Sequence, residues 1–140
     1  MSTIQLKETI VYGDCFTFPT RSPHAFGPAM WFTLHNGAAN YPNSPSTTQM
    51  KLMKGFIRGL YLMIPCIMCK AHFQNMIQTV DLDTVVQSRE TLFTFFYQLH
   101  NIVNQRLGKP TITLAQAKKM YAFYGETGNI LIQITRTKNN

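Results

Sequence analysis

The chain has 140 residues, of which 45% are hydrophobic and 14% charged, which is enough for one domain with a core and excludes an intrinsically disordered protein. Three cysteines are too few for a disulfide-stapled secreted domain, and no signal peptide or bilayer-length apolar segment is visible, so we expect a cytoplasmic protein without a membrane span. The net charge of +7 suits an anionic partner, but the cations are scattered and no nucleic-acid-binding motif accompanies them, so nucleic acid is not an expected partner.

Apolar spacing and helix-breaking residues predict a lead-in over residues 1–25, a helical domain over residues 26–125 and a tail over residues 126–140. Five helices are predicted in the domain, at about residues 26–40, 47–64, 66–78, 89–107 and 114–125. The predicted N-caps are Ser46, Ser88 and Thr113, and a loop is predicted around Asp81. Four main helices with short connections, followed by a short fifth, predict an all-α four-helix bundle.

Cys66 and Cys69 lie three residues apart at the predicted start of the third helix, where they face the same way and can close a disulfide. The unpaired N–H groups and the positive end of the helix dipole favour a thiolate there. We expect Cys66 to be the more exposed sulfur and the better target for an incoming thiol. A catalytic redox pair needs one sulfur for the substrate and one for the next electron acceptor.

The same spacing fits other kinds of site. A zinc-binding helical interaction module would use Cys66, Cys69 and His72, with His100 as a fourth ligand. A thioredoxin-like motif requires a preceding strand, whereas the residues before Cys66 favour a helix. Two buried unpaired thiols would have a purely structural role. The motif by itself supports a zinc site and a redox site about equally.

Polar residues interrupt the fourth predicted helix near its end. His100, Asn104 and Leu107 share a stripe with Asn101 beside it, and asparagine lowers helix propensity, so we expect these side chains to hydrogen-bond a partner. Each of them alone is more simply explained as a solvent-facing residue. Together with Trp31 and His35 of the first helix, they predict the polar and aromatic lining of a ligand slot inside the bundle.

These motifs, taken in order, resemble the Erv/ALR family of FAD-linked sulfhydryl oxidases over about residues 26–125. The matching positions are Gly27-Pro28, Trp31, His35, Tyr41-Pro42, Pro65-Cys66-Ile67-Met68-Cys69, His72-Phe73, His100-Asn101, Val103-Asn104 and Leu107-Gly108-Lys109-Pro110. The resemblance implies a bundle of four helices and a short fifth that holds FAD noncovalently, and a homodimer. The implied reaction passes electrons from protein dithiol substrates or a thioredoxin-like carrier through the dithiol to FAD and then to molecular oxygen, giving hydrogen peroxide.

The resemblance also implies roles for single residues. Cys66 would exchange with the substrate and Cys69 would lie next to the flavin ring, and no metal is implied. The implied cofactor-binding residues are Gly27, Trp31, His35, Tyr41, His72, His100, Asn101, Val103, Asn104, Arg106, Leu107, Lys109 and Tyr121.

Two departures from the family pattern are visible. Leu114 occupies the region where many relatives carry a cysteine of a further structural disulfide. Where relatives often carry a shuttle cysteine pair, only Cys15 precedes this domain, and it either pairs with Cys15 of a second subunit or is unreactive. This minimal form is most similar to versions encoded by large DNA viruses, which would place the protein in the host cytoplasm or the virion.

Overall fold

The structure is a computed structural model that describes residues 22–121 and residue 123. Every regular element in this part of the chain is helical, which confirms the predicted all-α fold class. Cys15, most of the predicted lead-in and the 126–140 tail lie outside the described residues. The elements are α1 (Pro23–Ala39), α2 (Thr47–Gly59), a 3-10 helix (Leu60–Met63), α3 (Ile67–Ile77), α4 (Leu82–Val85), α5 (Arg89–Arg106) and α6 (Leu114–Met120).

The predicted N-caps are confirmed by their hydrogen bonds. Ser46 Oγ accepts a hydrogen bond from Gln49 N–H at 3.1 Å, while Ser46 N–H donates to Gln49 Oε1 at 2.9 Å. Ser88 and Thr113 form the same kind of reciprocal pair at the starts of α5 and α6. Local sequence therefore sets where these three helices begin. None of the helices in the described part of the chain is both long and apolar enough to cross a membrane.

One predicted helix start and two predicted helix ends were wrong. α1 begins at Pro23, ahead of the predicted start at residue 26, because proline is compatible with the first helical position, where its missing N–H would have no partner. α2 ends at Gly59, and the predicted last turn before Pro65 is the tighter 3-10 helix. α6 ends at Met120 rather than near residue 125.

The predicted loop around Asp81 contains a one-turn helix. Asp81 Oδ1 accepts hydrogen bonds from the N–H groups of Asp83 and Thr84, and so caps α4. Leu82 and Val85 of this turn are buried. A single turn was not predicted because the spacing of apolar residues identifies a helix only over a longer window.

The described residues form two compact units, whose boundaries fall within α1 and α2. The first unit contains residues 22–30 and 56–80, and therefore the start of α3 with both cysteines of the dithiol. The second unit contains residues 31–55, 81–121 and 123. The buried side chains of the first unit include Ile57, Leu60, Ile64 and Phe73, and those of the second include Leu34, Val86, Leu92, Phe93, Phe96 and Leu99.

Candidate functional site

The two cysteines of the first unit form a disulfide at the start of α3. Their Cα atoms lie 5.2 Å apart and both side chains are half-buried. Cys66 and Cys69 therefore face the same way, as the three-residue spacing predicted. A disulfide in this position can exchange with an incoming thiol that reaches either sulfur.

Cys66 is the N-cap of α3. Pro65 disfavours a helical conformation of the residue before it, and Ile64 is extended. Cys66 is extended too, with φ of −93° and ψ of 121°, as is usual for an N-cap residue. Cys69 N–H donates a hydrogen bond to Cys66 Sγ at 3.2 Å, and Lys70 N–H donates to the Cys66 carbonyl at 2.9 Å. The Cys66 sulfur thus occupies the acceptor position of a helix cap, where an N–H group and the helix dipole stabilise negative charge.

The zinc alternative finds no support in the geometry. Among residues 22–121 and 123, no three His, Cys, Asp or Glu side chains lie close enough together to hold a metal ion. Of the four ligands that the alternative requires, Cys66 and Cys69 are joined in a disulfide and His72 is exposed. His100, the fourth, belongs to the second unit, where it is hydrogen-bonded to another histidine.

Four aromatic rings form a continuous stack in the second unit. The rings of Trp31 and His100 are nearly parallel, with an interplanar angle of 7° and centroids 4.1 Å apart. His35 stacks on His100 at 5.0 Å and on Tyr121 at 4.5 Å. This ring stack (Trp31, His100, His35 and Tyr121) brings together four of the predicted cofactor-binding residues from α1, α5 and the end of α6.

Within the ring stack, the buried His35 and the half-buried His100 form an uncharged pair. His35 Nε2 lies 2.8 Å from His100 Nδ1, and His35 is only 1% exposed. Burial and then the neighbouring His100 lower the pKa of His35 to about 4, while burial and then the charge of Lys109 lower the pKa of His100 to about 4. Both rings are therefore neutral at neutral pH. His35 Nδ1 is buried and has no hydrogen-bond partner among residues 22–121 and 123, so it can bond a ligand atom.

Known proteins are similar in sequence to the part of this chain that contains the disulfide and the ring stack. The model of the Erv1 / Alr family matches residues 28–122, which is more than half of the chain. The chain belongs to the Erv1/Alr family. It is 41% identical over 102 residues to a protein of Invertebrate iridescent virus 3 that carries the name FAD-linked sulfhydryl oxidase, with 73% of this chain and 67% of that protein covered.

Two solved structures of the Erv1/Alr family are similar to this chain. The yeast Erv1 core matches with a TM-score of 0.67 and 30% identity, covering 75% of this chain and 87% of that one. The FAD binding domain of Erv1 from Saccharomyces cerevisiae matches with a TM-score of 0.63 and 33% identity, covering 68% of this chain and 89% of that one. The helical fold of this Erv1/Alr protein is therefore that of the Erv1 core.

In this Erv1/Alr protein, Asn101 anchors the segment that follows α5. Its Nδ2 donates to the Ile112 carbonyl at 2.8 Å, and its Oδ1 accepts from Ile112 N–H at 3.2 Å. Between the two residues the chain turns at Gly108, whose φ of 70° is left-handed, and Lys109 N–H donates to the Asn104 carbonyl at 2.8 Å. The Asn101 amide, predicted to contact a ligand, is thus paired with backbone.

The other predicted cofactor-binding residues lie outside the ring stack. Tyr41 is buried, its hydroxyl donates to the Val86 carbonyl at 2.9 Å, and burial raises the pKa of this hydroxyl. Of the remaining positions, Gly27 is buried and His72 exposed in the first unit, while in the second unit Val103, Asn104, Leu107 and Lys109 are half-buried and Arg106 is exposed.

Phe93 contacts the ring stack although the sequence pattern did not single it out. Its side chain is fully buried, and its ring centroid lies 6.0 Å from that of His35 and 6.4 Å from that of Tyr121. Phe93 precedes His100 by two helical turns and so lies on the same face of α5. That spacing is the signal in the sequence that identifies it.

Proposed function

We propose that this Erv1/Alr protein is an FAD-dependent thiol oxidase that forms disulfide bonds in protein substrates. The observation that carries the proposal is the Cys66–Cys69 disulfide at the start of α3, in a chain whose relatives are named FAD-linked sulfhydryl oxidases. A disulfide of this kind takes two electrons from a dithiol and leaves the substrate oxidised. Dithiols are therefore its substrates.

The second unit offers the groups that FAD requires. The flat rings of the ring stack suit a ligand with a planar ring system, and the buried His35 Nδ1 is costly unless a ligand atom bonds to it. Lys109, whose charge acts on His100, suits a pyrophosphate. When bound, FAD supplies a two-electron acceptor that thiolates can reduce and that molecular oxygen can reoxidise, which gives hydrogen peroxide.

We assign the cofactor contacts by combining the family pattern with these positions. Asn101 is bonded to Ile112 through one Nδ2–H and through Oδ1, and its second Nδ2–H can bond the cofactor. Cys69 faces the flavin and Cys66 faces the substrate. The residues assigned to direct contact with FAD are Gly27, Trp31, His35, Tyr41, His72, His100, Asn101, Val103, Asn104, Arg106, Leu107, Lys109 and Tyr121.

Thiol exchange begins at Cys66. A substrate thiolate attacks Cys66 Sγ, so that a bond between the substrate sulfur and Cys66 forms, the Cys66–Cys69 bond breaks and Cys69 keeps the electron pair as a thiolate. The second substrate thiolate then attacks the substrate sulfur of this mixed disulfide. Cys66 leaves with the electron pair, and the substrate is released with its new disulfide.

The N-cap position of Cys66 favours the second of these steps. A sulfur leaves faster from a disulfide when its thiolate is more stable. Cys69 N–H lies 3.2 Å from Cys66 Sγ, so it can hold the departing thiolate by a hydrogen bond while the dipole of α3 stabilises the charge. The cap therefore assists release of the oxidised substrate, while the choice of Cys66 as the sulfur attacked in the first step rests on the family pattern.

The first experiment is an absorption spectrum of the purified protein before and after dithiothreitol is added in air. We expect a flavin spectrum that bleaches while dithiothreitol is in excess and recovers as oxygen reoxidises the protein, with hydrogen peroxide accumulating. A colourless protein that takes up no added FAD and leaves dithiothreitol reduced would contradict the proposal.

The partners and the setting of the reaction are part of the proposal. We propose a catalytic domain over residues 26–125, a homodimer, and protein dithiols or a thioredoxin-like carrier as electron donors in the cytoplasm of a host cell. The family match over residues 28–122 and the viral relative support the domain and the setting.

Phe32 and Leu52 of the second unit are 64% and 69% exposed, and we expect them to be covered in a dimer. Sedimentation of the wild-type protein and of Leu52→Glu tests this, since a monomeric wild type would contradict it.

A further inference from the structure

We propose that exposed apolar side chains around the disulfide form a docking surface for the cysteine-bearing segment of a substrate protein. This surface selects cysteines that have apolar neighbours in their own chain. The inference rests on the proposed function and adds the class of substrate segment that the dithiol accepts.

The surface consists of four side chains of the first unit, named here the apolar collar: Leu62 is 65% exposed, Met63 75%, Ile67 78% and Met68 70%. Single exposed apolar residues are common on proteins, whereas several along one short segment mark a binding surface. The interior of the same unit is already built from other side chains, since Ile57 and Phe73 are 0% and 6% exposed. The apolar collar is therefore not required for the core.

The position of the apolar collar determines what covers it. Ile67 and Met68 are the two residues between Cys66 and Cys69. Met63 precedes Cys66 by three residues, which places their Cα atoms no more than about 11 Å apart. The 3-10 helix that carries Met63 also contacts α3.

The chemistry of exchange brings the substrate onto this surface. In the mixed disulfide the substrate sulfur is about 2 Å from the enzyme sulfur, and the two Cα atoms are about 6 Å apart. The residues beside the substrate cysteine then lie within reach of Ile67 and Met68, which stand between the two cysteines in the chain. Apolar neighbours would bury these side chains and gain free energy, whereas charged neighbours would lose hydration without a partner.

Charge in the first unit favours the same reaction. Among its described residues, the ionised side chains are the cations Arg58 and Lys70, and none is a carboxylate. A positive field attracts the substrate thiolate, which is the reactive form of the cysteine. The apolar collar and this field together fit an apolar segment with an ionised cysteine and no neighbouring basic residue.

The test compares two dithiol peptides that differ only beside the attacking cysteine, where one carries leucines and the other serines. The kcat/KM for each peptide is divided by the kcat/KM for dithiothreitol, so that losses unrelated to docking cancel. We expect the wild type to prefer the leucine peptide about tenfold. In Met63→Ser/Met68→Ser this preference falls to about twofold or less.

Met120→Ser is the matched control, because Met120 is 63% exposed on α6 in the second unit. It should keep the wild-type preference. Equal use of the two peptides by the wild type, or an undiminished preference in Met63→Ser/Met68→Ser with its FAD spectrum intact, would overturn the docking surface while leaving the oxidase activity in place. A protein that oxidises neither peptide nor dithiothreitol would contradict the proposed function, and the docking surface with it.

Discussion

His35 Nε2 lies 2.8 Å from His100 Nδ1, although the two residues are 65 positions apart in the chain. Two neutral imidazoles share one proton across such a bond, so the nitrogen that donates fixes the tautomer of both rings. If His100 Nδ1–H donates, the proton of His35 lies on its buried Nδ1; if His35 Nε2–H donates, that Nδ1 is an acceptor. A ligand bonded to His35 Nδ1 therefore also decides which nitrogen of His100 carries the proton.

The histidine pair predicts a loss of stability in mild acid. The pKa of His35 is about 4 in the folded protein against 6.5 in the unfolded chain, so between these values the unfolded chain binds more protons. The contribution of neutral His35 to the free energy of unfolding is complete above pH 6.5 and is lost as the pH falls towards 4. The loss amounts to about 3 kcal/mol. Urea unfolding at a series of pH values measures it. His35→Gln should make the profile between pH 6.5 and 4 shallower, and part of the slope should remain because the pKa of His100 is also lowered to about 4.

Asn101→Ala should destabilise the protein whether or not FAD is bound. The change removes both hydrogen bonds to Ile112 and leaves a half-buried backbone N–H and carbonyl unpaired, which costs about 2 kcal/mol. Unfolding of the FAD-loaded and FAD-free proteins gives the measurement. A role in cofactor binding alone would instead give a loss confined to the FAD-loaded protein.

Gly108→Ala and Gly55→Ala should shift stability in opposite directions. Gly108 has a φ of 70°, which costs alanine about 1 kcal/mol. Gly55 lies inside α2, and a Cβ there meets nothing within 4 Å, so alanine should stabilise by about 0.5–1 kcal/mol through its higher helix propensity. Thermal unfolding of the two variants measures both changes, and shifts of the same sign would contradict the conformational explanation.

Cys69→Ser should bind FAD and fail to oxidise thiols. With a single-cysteine peptide activated as its mixed disulfide with thiopyridine, the remaining Cys66 thiolate of this variant should displace thiopyridone and form a mixed disulfide with the peptide. No second thiol is present to resolve this adduct, which is visible as an increase in intact mass. Cys66→Ser should also be inactive towards dithiothreitol. The flavin spectrum of each variant provides the check on folding. Normal turnover by Cys69→Ser would contradict the assignment of Cys66 and Cys69 as the catalytic dithiol.

The amino-acid sequence by itself determined the features that depend on neighbouring residues. The starts of α2 and α6 follow from Ser46 and Thr113, because a capping side chain bonds an N–H only three residues ahead. The Cys66–Cys69 disulfide is local in the same sense, since three-residue spacing at a helix start brings the two sulfurs together. The ordered motifs around these positions were enough to indicate the family.

Only the tertiary structure decided which distant groups meet. The partner of His35 is His100 on another helix, and Phe93 completes the surroundings of that pair, because hydrogen bonding and burial depend on where other segments of the chain lie. The polar residues near the end of α5 were predicted to hydrogen-bond a partner, and only the tertiary structure identifies Ile112, across a turn, as a partner of the Asn101 amide. Sequence spacing places a side chain on a face of a helix, whereas its partner on that face is set by tertiary packing.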